Sequence, residues 1–285
     1  MQPYKQQRIE QAEMPKQQYW LLVIGVIIIA ANLRAPITAV GPLIPSFRDD
    51  LGLSNAIAGS ITTLPLLAFA FLSPFAPKIA RKIGTEAIIL AALLMLTAGI
   101  AIRSIPNVSL LFIGTILIGL AIAIGNVLLP ALIKHHFPLK IGLMTGMYAV
   151  FMNVFGALAS GFSVPLSHIG NLNWRGALGF WIIPAVIAII IWAFHMSKKG
   201  EKMEHRTVKG FQSLNMWKSL LAWKVTIFMG MQSLMFYTLM TWLPEILQNH
   251  GYSQSTSGWM LSLLQFAIIP MTFIIPILAV KFTNQ

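Results

Sequence analysis

Apolar residues in this chain run on without alternation and without a persistent polar face. Eight such stretches stand out, at about 20–47, 56–77, 86–103, 108–133, 141–166, 176–195, 222–247 and 258–280. A membrane span needs roughly 20 mostly apolar residues. Continuous runs of this kind predict helices, because a barrel strand would alternate and only these two structures satisfy the backbone in lipid. The expected fold is an all-α integral membrane protein. Before the first span, residues 1–19 (MQPYKQQRIEQAEMPKQQY) are polar. The apolar run that follows is too long for the core of a signal peptide, so this segment reads as a cytoplasmic leader.

Composition agrees. Of 285 residues, 56% are hydrophobic and only 10% are charged, against about 25% in soluble domains. The net charge of +12 does not imply nucleic acid, because the basic residues are spread over separate short loops. With no cysteine in the chain, disulfides, thiol chemistry and cysteine metal sites are excluded. His135 and His136 adjoin Lys134, which favours a solvated basic loop over a metal site. No nucleophile motif, phosphate loop or H-E-x-x-H pattern occurs, so neither an enzyme nor a cofactor is expected.

Orientation follows from Lys and Arg in the connections. With the N-terminus inside, 16 of the 20 fall on the cytoplasmic side, three (Arg48, Arg103 and Arg175) fall outside, and Arg34 lies within a span. Trp20, Trp174, Trp192, Trp223, Trp242 and Trp259 lie near span ends, the positions of an aromatic belt.

The basic connection 196–221 separates six spans (20–195) from two (222–285). A shift of 199 residues lays 45–82 over 244–281 without a gap, with nine identical pairs. Among them are Gly52/Gly251, Ser54/Ser253 and Gly59/Gly258. Spans one and seven share an orientation, so the halves are parallel repeats about an axis along the membrane normal, as in six-plus-six transporters. A full second half would need four more spans. The expectation is therefore a truncated chain of a protein of roughly 400 residues.

Arg34 is the one charge between Trp20 and Phe47. A cation at bilayer depth costs at least ~2.5–3.5 kcal/mol on insertion scales. Its planar fork of five donors suits a small anion, a carboxylate or a nitro group. The competing role is a helix tie to backbone carbonyls. The eight predicted spans hold no central acid to neutralise it, since Glu86 and Glu245 lie near span ends. Thr38 shares its face at i+4, Pro36 disrupts the local backbone, and Asn32 is close but points elsewhere. Arg34 falls opposite Ser233 in the repeat, so the two halves are electrostatically unequal and suit an asymmetric solute. Other mid-span polar residues are Asn126, Asn153, Gln232, Tyr237 and Gln265. Gly142, Gly146, Gly156 and Gly161 in span five favour close helix packing.

Six spans, a basic central loop and a parallel repeat resemble the major facilitator superfamily. More narrowly, Asn32-Leu33-Arg34-Ala35-Pro36 with Thr38 and Gly41-Pro42 resembles the N-x-R-x-P-x-T-x-x-G-P opening of the cyanate permease and 2-nitroimidazole transporter family. Gly125-Asn126-Val127-Leu128-Leu129-Pro130, with Lys134 and Phe137-Pro138, resembles that family's fourth span. The resemblance implies a helical bundle with a six-helix half plus two helices of the other. It implies a cell-membrane transporter of a small polar or anionic solute, monomeric, its partners being that solute and the bilayer. Spans one, four and seven line the pathway in the superfamily, which puts Arg34, Thr38, Asn32, Asn126, Gln232 and Tyr237 forward as solute-binding residues. Asn153 and Gln265 rank below them. The second loop departs from the superfamily's G-x-x-x-D-R-x-G-R-R. Arg81 takes the acidic position and Pro77 that of the first glycine, while Lys82 and Gly84 remain. Glu86 is the candidate substitute for the missing aspartate, so Pro36, Lys82, Gly84 and Glu86 are the candidate gating or structural positions.

Overall fold

The computed structural model describes residues 15–169, 173–198 and 219–279. Most of the expected leader and of the central connection lies outside the described residues. The described part is helical, with eight helices long and apolar enough to cross a membrane. They are Lys16–Leu51, Asn55–Leu72, Thr85–Arg103, Val108–His136, Pro138–Ser167, Asn173–Ser197, Leu220–Asn249 and Gln254–Leu278, taken below as spans one to eight.

Polar side chains start several of these helices. The side chains of Ser54, Asn107 and Ser219 accept from the N–H groups of Ile57, Leu110 and Ala222. Each satisfies a first-turn donor that the helix itself leaves unpaired. The repeat is visible in the same chemistry. Gly52 and Gly251 both turn the chain at positive φ (64° and 90°). Ser54 Oγ then accepts from Ile57 N at 3.3 Å, and Ser253 Oγ from Thr256 N at 3.1 Å. Further along, Gly59 of span two lies against the ring of Trp242 in span seven, and Gly258 of span eight against Pro42 of span one and the carbonyl of Ser160. Equivalent glycines thus sit at the two crossings between the halves.

Span eight lies along span five. A Cβ at Gly146 would fall 3.1 Å from the Phe273 carbonyl, and one at Gly161 3.0 Å from the Trp259 ring. The small residues of span five therefore admit the second half closely. At the end away from Lys82 and Lys140, Arg48 Nη1 approaches Glu245 at 3.5 Å. Gln254 there donates to the Pro42 carbonyl at 2.7 Å and to Ser46 Oγ at 2.9 Å.

Span one is discontinuous. Its first helix, Lys16–Asn32, ends at Leu33–Arg34, and a single turn, Ala35–Thr38, follows. A 3-10 turn at Gly41–Leu43 then leads into Ile44–Leu51. Pro36 has no N–H to return to Asn32. The Leu33 and Ile37 N–H groups shift to partners three residues back, the carbonyls of Ala30 and Arg34. Pro65 and Pro130 lie inside spans two and four without ending them, so proline alone does not account for the break.

Three expectations are corrected. Trp174 and Trp192 are buried in the protein rather than placed in a belt. Their indole N–H groups donate to Asp50 Oδ2 and to the Glu86 carbonyl. Arg103, counted among the outer-side cations at the end of the run 86–103, is the last residue of span three as expected, but its side chain is buried rather than at the surface.

Candidate functional site

Arg34 lies at the break, so its backbone is already outside the helical ladder. It is half-buried. Nη1 donates to Asn153 Oδ1 of span five at 2.7 Å, and the guanidinium carbon stacks 4.4 Å from the centre of the Phe236 ring of span seven. Tyr148 and Tyr237 are near enough to interact with it electrostatically. Among the described residues no carboxylate forms an ion pair with Arg34. A hydrogen bond to a charged group contributes about 1.5–3 kcal/mol and a cation–π contact about 0.5–2 kcal/mol. Together they offset much of the cost of holding the cation at depth and leave its charge unneutralised.

Gly156 makes room for this arrangement. A Cβ there would fall 2.7 Å from Gln265 Oε1, 2.9 Å from Arg34 Cγ and 3.0 Å from Arg34 Cδ. The Gly156 carbonyl also accepts from Thr38 Oγ1 at 2.9 Å and from Gln265 Nε2 at 3.3 Å. Gln265 Nε2 reaches Ser160 Oγ at 2.8 Å as well. One carbonyl of span five therefore joins spans one and eight beside the arginine.

Of the residues expected to bind solute, four meet here. Arg34 and Thr38 bracket the break, Tyr237 lies by the guanidinium, and Asn126 joins through Tyr148, whose hydroxyl donates to Asn126 Oδ1 at 3.3 Å. Asn32 is turned away, donating from Nδ2 to the carbonyls of Ile28 and Pro184. Gln232 is exposed on span seven. Asn153 and Gln265, ranked below the six expected to bind solute, stand beside the arginine, and Gln232 does not. Phe236, which the sequence reading left out, supplies the stacking face; its place next to Tyr237 was the available signal.

The gating candidates lie elsewhere. Lys82 is exposed near the end of the helix Ala76–Ile83, and Gly84 follows at φ 103°. The Glu86 carboxylate lies 3.9 Å from His195 Nε2, so it faces span six. Pro36 sits in the break itself.

The helix break thus brings a cation, amides and aromatic rings together where spans one, five, seven and eight meet. Residues 22–285 match the Major Facilitator Superfamily, and the chain belongs to it. It is a multi-pass membrane protein of a family of transporters that carry small solutes. It is 48% identical over 94% of its length to an uncharacterised transporter, YycB, of Bacillus subtilis, and covers 66% of that protein. It is 41% identical to a 2-nitroimidazole transporter of Escherichia coli, over 90% of this chain and 65% of that one. It is 24% identical to the cyanate transport protein CynX of Escherichia coli, over 90% of this chain and 66% of that one. The chain thus spans about two thirds of the length of these relatives. Its fold matches a D-xylose-proton symporter with a TM-score of 0.63 at 14% identity, covering 92% of this chain and 68% of that one.

Proposed function

We propose that this protein is a secondary transporter of the cell membrane that moves a small polar or anionic solute by alternating access, with Arg34 as the group that holds the solute's electronegative end. The observation that carries this is the state of Arg34: central, half-buried, set in a helix break, and without an acidic partner among the described residues. The named solutes of two relatives are both small: cyanate is a linear anion with oxygen and nitrogen at its two ends, and 2-nitroimidazole is a flat ring carrying a two-oxygen nitro group. A planar guanidinium pairs with such groups better than a point charge. Alternating access follows the seam between the repeats, with the six-helix half rocking against the other about Arg34. Orientation with the N-terminus inside follows the basic connections. Either direction of transport uses the same site, so export of nitroaromatic or drug-like compounds is the second reading, favoured by the aromatic lining of Phe236 and Tyr237. A membrane sensor that shares the fold without transport is the third, and saturable flux would eliminate it.

The test is uptake by the purified protein in proteoliposomes, with cyanate, nitrate, short carboxylates and 2-nitroimidazole. Wild type is measured beside Arg34→Lys and Arg34→Gln. One solute should show saturable uptake that Arg34→Gln loses and Arg34→Lys weakens, both variants still inserting and melting normally. Transport that survives Arg34→Gln would make the arginine a helix tie.

A further inference from the structure

A second arginine is buried more deeply than the first. Arg103 is only 1% exposed, and Nη1 donates to the carbonyl oxygen of Pro36 at 2.8 Å. Its Nε and Nη2 are buried and have no acceptor among the described residues. No carboxylate among the described residues pairs with it. A buried cation with two idle donors is costly, so the single bond it makes calls for a reason.

The carbonyl it holds is one that the break sets free. In an unbroken helix the Val40 N–H would bond to Pro36, but here it bonds to the Ile37 carbonyl at 3.2 Å. Three neighbours pin the broken stretch. Asn32 is tied to the Pro184 carbonyl of span six, Pro36 to Arg103 of span three, and Thr38 to the Gly156 carbonyl of span five. Arg34 lies between the first two anchors and carries the solute-facing charge. Packing delivers Arg103 to this place. A Cβ at Gly114 would collide with the Arg103 backbone, so spans three and four meet almost backbone to backbone at that level.

We propose that Arg103 is a positioning residue for solute recognition. It fixes the freed Pro36 carbonyl, so the turn Ala35–Thr38 holds one orientation and Arg34 is presented at one angle. This rests on the reading of Arg34 as the solute-binding group.

The test uses the whole protein with Arg103→Met, Arg103→Lys and Arg34→Lys, alone and combined. Uptake of cyanate and 2-nitroimidazole gives KM and Vmax, and melting temperature is recorded for each variant. Because the chain has no cysteine, an Ile37→Cys substitution adds a second readout, the rate of maleimide labelling within the turn. The expected result for Arg103→Met is a KM raised about tenfold, with Vmax changed much less, and faster labelling of Ile37→Cys. Arg103→Lys, which can still donate to the carbonyl, should recover part of both. On an Arg34→Lys background, Arg103→Met should add little, because the aim of the fork no longer matters. Unchanged KM and unchanged labelling in Arg103→Met would overturn the proposal, as would full additivity with Arg34→Lys. Faster labelling alongside an Arg34→Lys variant that transports normally would uphold the anchoring of the turn and refute the solute role of Arg34. If Arg103→Met does not fold, Arg103→Gln carries the same two readouts.

Discussion

Arg34 and Arg103 are the same side chain in two different situations. Arg34 is half-buried in mid-span, against an amide and an aromatic ring. Arg103 is fully buried at a span end, against a backbone carbonyl. A backbone carbonyl is fixed by the helix that carries it, whereas the partners of Arg34 are side chains, the Asn153 amide being steadied by a bond from Nδ2 to the Ala149 carbonyl at 2.9 Å. The first environment suits a group that must exchange partners with a passing solute. The second suits a group that must not move. Burial of a cation is therefore insufficient to mark a binding residue; whether its partners are side chains or a backbone carbonyl separates the two situations.

The contrast is broken most severely by Arg34→Gln. Removing one partner of a buried charged contact costs about 2–5 kcal/mol, so transport at low solute concentration should fall by roughly 30-fold or more. Insertion and melting should be retained, because no acidic partner among the described residues is left stranded. Gly156→Ala should follow, at about tenfold weaker affinity, since the added methyl must displace Arg34 or Gln265. Phe236→Leu keeps apolar volume and removes the ring face. The loss of a cation–π contact predicts an affinity lower by roughly 2–30-fold, read from competition binding. Asn32→Ala should act mainly on the scaffold, because Arg103 and the Gly156 carbonyl still hold the turn that follows Arg34. Its bonds run to Ile28 and Pro184, so melting should drop by an amount equivalent to about 0.6 kcal/mol, with KM within about twofold. A large KM effect from Asn32→Ala, or none from Gly156→Ala, would blur the line between site and scaffold.

The spans were legible in the sequence because lipid demands long apolar runs, and a run that excludes charge is hard to misread. Arg34 was legible for the same reason, as the one violation. The likeness of the turns Gly52–Ser54 and Gly251–Ser253 was legible, because positive φ and a serine cap restrict the residues allowed there. Facing was not legible. In a helix that is apolar all round, periodicity does not say which side meets a neighbour, so Asn153, Gln265 and Gln232 could not be ranked by pattern. The placement of Asn153 and Gln265 depends on the glycines of span five, which let span eight pack closely against it. The burial of Arg103 was not legible, because a cation that ends an apolar run looks like one at the membrane surface. Its burial depends on Gly99 and Gly114, which lie in two different spans. The buried Trp174 and Trp192 were misassigned in the same way, since nearness to a span end does not separate a lipid-facing ring from one turned inward.

Equilibrium binding of cyanate and 2-nitroimidazole to the purified protein and its Arg34→Lys variant, with melting temperature read on the same samples, tests the central claim most directly. Lysine keeps the charge and removes the planar fork. The account predicts at least about tenfold weaker binding by Arg34→Lys, or about 1.4 kcal/mol, at an unchanged melting temperature. Equal binding by the two proteins would contradict it and leave Arg34 as a tie between spans one and five.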